Sequence, residues 1–215
     1  LTNILGKILE TLISKQKLEE CVRNVKNAGD TLRSVDEYIE SSILVIFINN
    51  ENKKESNILI TQRKNNLRKH AGQVAFPGGR KELHDKNLLE TAIRETEEEI
   101  NLSESNYDII GELPKFYTGT GYAVTPFIAL MKLQVNWETL ICPNPIEVEK
   151  IFCPKSTLLL SPKYHLREKP PIKSSMAMTW RINYNNENIW GLTARVLVTI
   201  SAGLGFREFP PCDDI

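Results

Sequence analysis

The sequence lacks several features that would place the chain in a specialised class of protein. Its longest apolar run, residues 43–48, is strand-sized and far shorter than the roughly twenty residues of a membrane span. No membrane span is therefore expected. The net charge is zero, with 27 basic and 27 acidic residues, so no overall field favours nucleic acid or an anionic membrane. Any anion binding must come from a local group of residues.

Cysteine and histidine are also scarce. The four cysteines form no Cys-x-x-Cys pair, and the three histidines fall in no zinc-binding spacing. We expect free thiols in a reducing compartment. The 215 residues, 41% of them hydrophobic, are enough for one well-buried domain. We place a single domain at residues 36–210, after an N-terminal helical extension at residues 1–35.

Hydrophobic periodicity predicts both strands and helices along the chain. Strands are predicted at residues 43–48, 58–61, 107–111, 123–131, 178–184 and 188–190. Helices are predicted within residues 1–29, at 88–100, after an N-cap at Ser156, and from about 189–197 to the glycines near 203–205. The polar stretch at residues 49–56 predicts a hairpin with a long tip. The glycine-rich loop at residues 118–121 lacks the lysine and the following helix of a P-loop.

The most informative stretch is residues 59–102, in which a basic loop, a Gly-Gly turn and an acidic helix follow one another. Asn87 is a plausible N-cap for the helix, with Glu90 three residues on. One face is predicted to be a buried stripe, made of Leu89, Ala92, Ile93, Thr96 and Ile100.

Three glutamates of the same helix are predicted to share another face. At about 100° per residue, Glu95, Glu98 and Glu99 lie within roughly a 100° arc. Like charges at this spacing repel, and a hard divalent cation such as Mg²⁺ or Mn²⁺ prefers carboxylate oxygens. The alternative is an ordinary solvated glutamate face.

The loop at residues 63–73 is predicted to carry positive charge opposite the acidic helix. Its basic side chains are those of Arg63, Lys64, Arg68, Lys69 and His70. A substrate phosphate between loop and helix would neutralise both. The turn at residues 77–79 allows the backbone to approach a ligand closely. The alternatives are a solvated basic loop, and a structural role in which His70 and Gln73 tie the loop to this turn.

Gly79 and the segment RETEEEINL at residues 94–102 resemble the Nudix box. There are three departures from its usual pattern. The interval from Gly79 to Arg94 is one residue longer, Thr96 replaces an aliphatic residue, and Asn101 stands where glycine is usual. None of them removes a carboxylate, and asparagine tolerates the left-handed backbone that ends a helix.

The longer interval, with an aspartate near Asp85, is similar to that of a coenzyme A diphosphatase subfamily of Nudix hydrolases. Residues 59–79 resemble the upstream signature of that subfamily, LLTxRxxxLRxHxGQxxFPGG. The segments NPIEV at residues 144–148 and WGLTA at residues 190–194 also resemble it. The likeness therefore spans about residues 40–205.

This resemblance implies an α/β/α sandwich around a mixed sheet and a metal-dependent enzyme. The implied reaction is hydrolysis of the diphosphate of coenzyme A or an acyl-coenzyme A, giving 3′,5′-ADP and 4′-phosphopantetheine or its acylated form. The partner is then a small molecule and the cofactor Mg²⁺ or Mn²⁺. Two alternatives remain open: a diphosphatase for NADH or other nucleotides, and a binding module without catalytic activity.

The candidate site residues fall into three groups. Metal ligands are expected at Glu95, Glu98, Glu99 and, from a late loop, Glu147. Catalytic roles are expected for Glu95 or Glu98 as general base, and for Arg94 as the residue that braces the carboxylates. Substrate contacts are expected at Arg63, Arg68, His70, Gln73, Gly78 and Gly79.

For localisation, the resemblance and the cysteine usage favour the mitochondrial matrix, with the cytosol second. The acidic residues near the N-terminus are unlike a mitochondrial presequence. The C-terminal residues 213–215 are not a peroxisomal signal of the Ser-Lys-Leu type.

We predict that the 3′-phosphate of coenzyme A is recognised by the basic loop. Bidentate guanidinium contacts to a phosphate stabilise binding by about 1.5–3 kcal/mol per hydrogen bond. Coenzyme A should therefore be preferred over dephospho-coenzyme A by about tenfold or more, and Arg68→Ala should reduce this preference. Steady-state turnover of the two substrates measures it. Equal turnover by the wild-type enzyme would contradict the 3′-phosphate argument.

Overall fold

A computed structural model describes residues 12–26, 38–66, 71–132, 137–169, 178–184 and 187–210 of the chain. The helices in these ranges are α1 (Lys15–Val25), α2 (Leu88–Ile100), α3 (Trp137–Leu140), α4 (Ser156–Leu159) and α5 (Gly191–Gly203). The strands are β1 (Ile39–Asn50), β2 (Glu55–Ile58), β3 (Ile60–Arg63), β4 (Val74–Ala75), β5 (Gly78–Arg80), β6 (Tyr107–Glu112), β7 (Phe116–Tyr117), β8 (Tyr122–Met131), β9 (Val148–Phe152), β10 (His165–Glu168), β11 (Thr179–Tyr184) and β12 (Glu187–Trp190). None of these helices is long and apolar enough to cross a membrane.

The central sheet has the strand order β2-β1-β8-β6, and the short strands β5 and β7 pair with β1 and β8. Strands β1 and β8 run parallel, whereas the other pairs in this sheet are antiparallel. The predicted mixed sheet is therefore confirmed. Two smaller antiparallel sheets, β4-β3-β9 and β10-β11-β12, flank it.

Alternation along β1 divides the apolar interior into two cores, because successive side chains of a strand point to opposite faces. Leu44, Ile46 and Ile48 belong to one core, which also holds the buried residues of α2. Val45 and Phe47 belong to the other, with the buried faces of α1 and α5. Helices thus cover both faces of the sheet, which confirms the α/β/α sandwich.

Helix α1 packs into the same core as the sheet. Its predicted stripe is confirmed, since Leu18, Cys21, Val22 and Val25 are all buried. Ser14 caps the helix by accepting a hydrogen bond from the Lys17 N–H. Residues 1–11 and 27–29 of the predicted helical region lie outside the described residues. The domain boundary near residue 35 stays a prediction, although α1, which precedes it, contributes buried residues to the core of the domain.

The prediction of one strand at residues 58–61 is wrong. Strand β2 ends at Ile58 in the central sheet, and β3 begins at Ile60 in a second sheet with β4 and β9. Leu59 lies between them and donates its N–H to the Ile46 carbonyl at 3.0 Å. The hairpin between β1 and β2 is confirmed, although its tip is only residues 51–54. Because of this break, Arg63 belongs to the second sheet.

The prediction of Ser156 as an N-cap is also wrong. Helix α4 begins at Ser156, and Lys155 occupies the N-cap position without a side-chain cap. The Ser156 hydroxyl is buried and has no hydrogen-bond partner within the described ranges. The Ser156 side chain is therefore buried and does not cap the helix.

We predict that Gly203→Ala destabilises the protein by loosening α1. A Cβ atom at this position would lie 2.6 Å from Val25 Cγ1 and 2.7 Å from Cys21 Sγ. Overpacking of this kind costs about 1–3 kcal/mol, more than the roughly 1 kcal/mol gained by removing a helical glycine. Denaturant unfolding of Gly203→Ala, Val25→Ala and the double variant measures the effect. Strict additivity of the two substitutions would contradict the contact.

Candidate metal and phosphate site

Helix α2 positions the acidic residues, and both of its ends are set locally. Asn87 accepts a hydrogen bond from the Glu90 N–H at 2.9 Å, as predicted for an N-cap. Asn101 ends the helix in the left-handed conformation, with φ of 54°, and donates its N–H to the Glu97 carbonyl. The substitution of the usual glycine therefore keeps the helix end in place.

The three glutamates of α2 lie in three different environments. Glu99 is buried, with 4% of its surface exposed. Glu95 is half-buried and Glu98 is exposed. The face that these glutamates are predicted to share, beside the buried stripe, therefore runs from buried at Glu99 to exposed at Glu98. Thr91 and Glu99 are buried with Ala92, Thr96 and Ile100, whereas Leu89 and Ile93 are only half-buried.

The predicted turn is a bend at Pro77 that leads directly into strand β5, whose first residues, Gly78 and Gly79, contact two of these carboxylates. The Gly78 N–H donates to Glu99 Oε2 at 3.4 Å. A Cβ atom on Gly79 would lie 2.3 Å from Glu95 Oε1, so only glycine fits there without displacing Glu95. Gly78 has φ of 151°, and a Cβ on it would lie 2.3 Å from the Ser42 carbonyl oxygen. Both glycines are thus required by the packing of the turn against β1 and α2.

Arg94 forms hydrogen bonds both to acidic side chains and to the backbone of β5. It donates two hydrogen bonds to Asp85, both at 3.0 Å, and one to the Arg80 carbonyl at 3.1 Å. Its Nη1 donates to Glu95 at 3.0 Å and to Glu98 at 3.1 Å. These hydrogen bonds are the bracing contacts expected of Arg94. The residues that accept them lie on β5, on the loop that follows it and on α2 itself.

Asp85 was not predicted as a site residue. It also accepts hydrogen bonds from the Glu82 N–H at 2.8 Å and the Thr91 hydroxyl at 3.0 Å. The hydrogen bonds from Arg94 hold the pKa of Asp85 well below its usual range and raise that of Arg94. The sequence signal was the extended interval between Gly79 and Arg94, because the added length lets this loop return an aspartate to the helix.

Arg63 lies at the end of β3 and faces acidic partners. Its Nη1 donates to Glu99 Oε1 at 3.0 Å, and its Nη2 lies 3.7 Å from Glu147 Oε2. Glu147 is held beside it because β3 pairs with β9 and the Lys64 N–H donates to the Glu147 carbonyl at 2.9 Å. Arg63 was expected to contact substrate, and in this arrangement it is the counterion of two candidate metal ligands.

The cluster of Glu95, Glu98, Glu99 and Glu147 has the donor chemistry for a hard divalent cation. Burial raises the pKa of Glu99 to about 8, and the negative charges of Glu95 and Glu147 add to this rise. Burial also raises the pKa of Glu95. Within the described ranges, however, no three acidic, histidine or cysteine side chains converge to hold an ion. Binding one requires carboxylates to turn from their arginine partners towards the ion.

A cavity of about 430 Å³ opens beside Glu99. Its wall includes four of the residues predicted to contact substrate: Arg63, Gln73, Gly78 and Gly79. Arg68 and His70 lie outside the described residues. The remaining wall includes residues of β8, β11 and α5 that sequence reasoning did not connect with the site. The site therefore joins a charged edge to a larger chamber.

Comparison with known proteins identifies the family of this chain. A family profile described as NUDIX domain matches residues 40–173. The Uncharacterized Nudix hydrolase NudL of Pectobacterium atrosepticum is 32% identical over 180 residues, which cover 82% of this chain and 88% of that protein. The protein of the same name in Yersinia pestis is 36% identical over 146 residues, covering 66% and 70% of the two chains.

Solved structures give only partial superpositions. A binary complex of an Ap4A hydrolase from C. elegans covers 55% of this chain and 80% of its own, with 18% identity and a TM-score of 0.43. The MutT protein of Methanosarcina mazei Go1 covers 59% of this chain and 84% of its own, with 24% identity and a TM-score of 0.44. Neither likeness is close enough to bear on the site.

We predict that Asp85→Asn destabilises the metal-free protein by about 3 kcal/mol at pH 7, because one partner of a buried ion pair is neutralised. The folded-state pKa of Asp85 is depressed. Its stabilising contribution is therefore complete above the unfolded pKa, about 3.9, and is lost as pH falls below it.

The free energies of unfolding of wild type and Asp85→Asn should accordingly differ by about 0.7 kcal/mol less at pH 3.5 than at pH 7. Denaturant titrations in chelator at the two pH values measure this difference. A difference independent of pH would mean that Asp85 acts through packing and not through its charge.

Proposed function

The chain belongs to the Nudix hydrolase family, and we propose that its diphosphate substrate is coenzyme A or an acyl-coenzyme A. The observation that supports a reaction on diphosphates most directly is the group of four glutamates joined by Arg63 and Arg94, of which Glu99 lines the cavity. The likeness of residues 59–79 to the coenzyme A subfamily supports the choice of substrate. The cavity offers room for one of the two groups that the diphosphate joins.

The reaction adds one water across the P–O–P bridge. The water oxygen forms a bond to one phosphorus, the bridging P–O bond on that phosphorus breaks, and the water proton passes to a carboxylate. The bridging oxygen leaves with the other phosphate. For coenzyme A the products are 3′,5′-ADP and 4′-phosphopantetheine, and an acyl-coenzyme A gives the acylated form of the latter.

Mg²⁺ or Mn²⁺, held by Glu95, Glu98, Glu99 and Glu147, would supply positive charge to the phosphoryl oxygens and to the attacking water. Glu99 is the strongest candidate ligand, because it is buried beside the Gly78 N–H and faces the cavity. Either Glu95 or Glu98 accepts the proton of the water. Glu98 is solvent-exposed, and Glu95 lies against the Gly79 turn, so their roles are separable by substitution.

Arg94 orients the carboxylates and does not need to contact substrate. Its hydrogen bonds to Asp85 and to the Arg80 carbonyl fix its guanidinium group, and Nη1 then holds Glu95 and Glu98. Arg63 holds Glu99 and Glu147 in the same way from β3. In the absence of a metal ion, both arginines would partly neutralise the four carboxylates and keep them close together.

A substrate panel tests the proposal. We expect coenzyme A and acyl-coenzyme A to be hydrolysed with Mg²⁺ or Mn²⁺, at higher kcat/KM than NADH, ADP-ribose or oxidised dGTP. A preference for NADH or another nucleotide would replace the coenzyme A assignment with a different diphosphatase. Binding without turnover of any member would favour a module that only binds nucleotides.

Glu99→Gln should remove most of the metal-dependent turnover. Loss of a residue that merely supports a metal ligand costs about 10- to 100-fold, so loss of a ligand should cost about 100-fold or more. Glu97→Gln is the matched control, because Glu97 is an exposed residue on the same helix and the substitution makes the same change in charge. Full Mg²⁺-dependent activity of Glu99→Gln would make its assignment as a ligand wrong.

A further inference from the structure

The cavity beside Glu99 has an uneven distribution of charge. Glu99 is the one acidic residue in its described wall, whereas three arginines, Arg63, Arg80 and Arg195, contribute to it. Arg63 is paired with Glu99 and Glu147. Arg195 reaches the wall from α5. The charge of the wall thus favours an anionic ligand beyond the groups at the carboxylates.

The wall is otherwise rich in aromatic residues. Trp190 precedes α5 and is half-buried, and Tyr117 lies against Tyr38 with 4.7 Å between the ring centroids. At Gly191 a Cβ atom would meet nothing within 4 Å, which leaves open space next to Trp190. A volume of about 430 Å³ is in the range of small-ligand pockets. Such a wall accommodates a flat ring system, on which aromatic side chains stack.

Arg195 is held in place by an aromatic side chain. Its guanidinium carbon lies 5.3 Å from the centroid of the Phe116 ring. It also lies one helical turn after Gly191, so both residues face the cavity from the same side of α5. A guanidinium group held on a ring loses less rotamer freedom when it binds a phosphate, and it offers bidentate geometry.

We propose that this cavity binds the nucleoside end of the substrate, with the base against the wall formed by Trp190 and Tyr117, and that Arg195 binds the additional phosphate on that nucleoside. The proposal rests on the proposed function and assigns the 3′-phosphate to Arg195 in place of the basic loop, where the sequence alone had placed it.

Binding of products tests the proposal without catalysis. Isothermal titration calorimetry compares 3′,5′-ADP with 5′-AMP, which differ only in the 3′-phosphate. We expect the wild-type protein to bind 3′,5′-ADP at least about tenfold more tightly. Arg195→Met should reduce the ratio of the two affinities to about one. Arg195→Lys, which keeps the charge but not the bidentate geometry, should give an intermediate ratio.

Arg23→Met is the matched control, because Arg23 is an exposed arginine of α1 outside the cavity wall and the substitution makes the same change in charge. It should keep the wild-type ratio. Trp190→Leu should weaken the binding of both nucleotides and leave the ratio of their affinities unchanged. Trp137→Leu, a substitution in α3 outside the wall, should change neither the affinities nor their ratio. Thermal unfolding of each variant checks that the fold is retained.

Three results would overturn the proposal. Equal binding of the two nucleotides by wild type would remove 3′-phosphate recognition from the protein. An unchanged ratio of the two affinities in Arg195→Met would show that Arg195 does not recognise the 3′-phosphate. Loss of the ratio in Arg68→Ala, with none in Arg195→Met, would assign recognition to the basic loop. Failure of the proposed function is distinct, since it appears as absent coenzyme A hydrolysis whatever these binding ratios are.

Discussion

A carboxylate buried among other carboxylates must either take up a proton or have positive charge beside it, and Glu99 imposes that requirement on this structure. Arg63 meets the requirement from β3, and Arg94 does the same for Glu95 and Glu98 from within α2. Each arginine is in turn fixed by a second acidic residue, Glu147 or Asp85. The acidic helix, the Gly-Gly turn and two sheets are therefore connected by charge as well as by apolar packing.

The sequence was sufficient for features decided by near neighbours. Asn87 and Asn101 set the ends of α2 through local hydrogen bonds, and both ends are where the sequence predicts them. The apolar run at residues 43–48 likewise predicts a strand, and it lies within β1. The mixed sheet of an α/β/α sandwich came from the family resemblance, because pairing between β1 and β8 joins segments about eighty residues apart.

Features decided by distant contacts were missed. Glu99 is buried because the turn at residues 78–79 packs against it, and a helical projection contains no information about that turn. The strand break at Leu59 depends on partners in two different sheets. Arg195 joins the candidate site only because α5 packs beside the sheet. In each case the local pattern was compatible with either outcome, and tertiary packing decided between them.

The cysteines provide a spectroscopic route into the site. Burial raises the pKa values of the Cys21 and Cys153 thiols to about 12, so both should react slowly with alkylating reagents. Cys142 is exposed, and its N–H donates to the carbonyl of Ile100 at the end of α2. A fluorophore attached to Cys142 would sit beside the C-terminal end of α2, where it would report movement of the acidic helix when ligands bind.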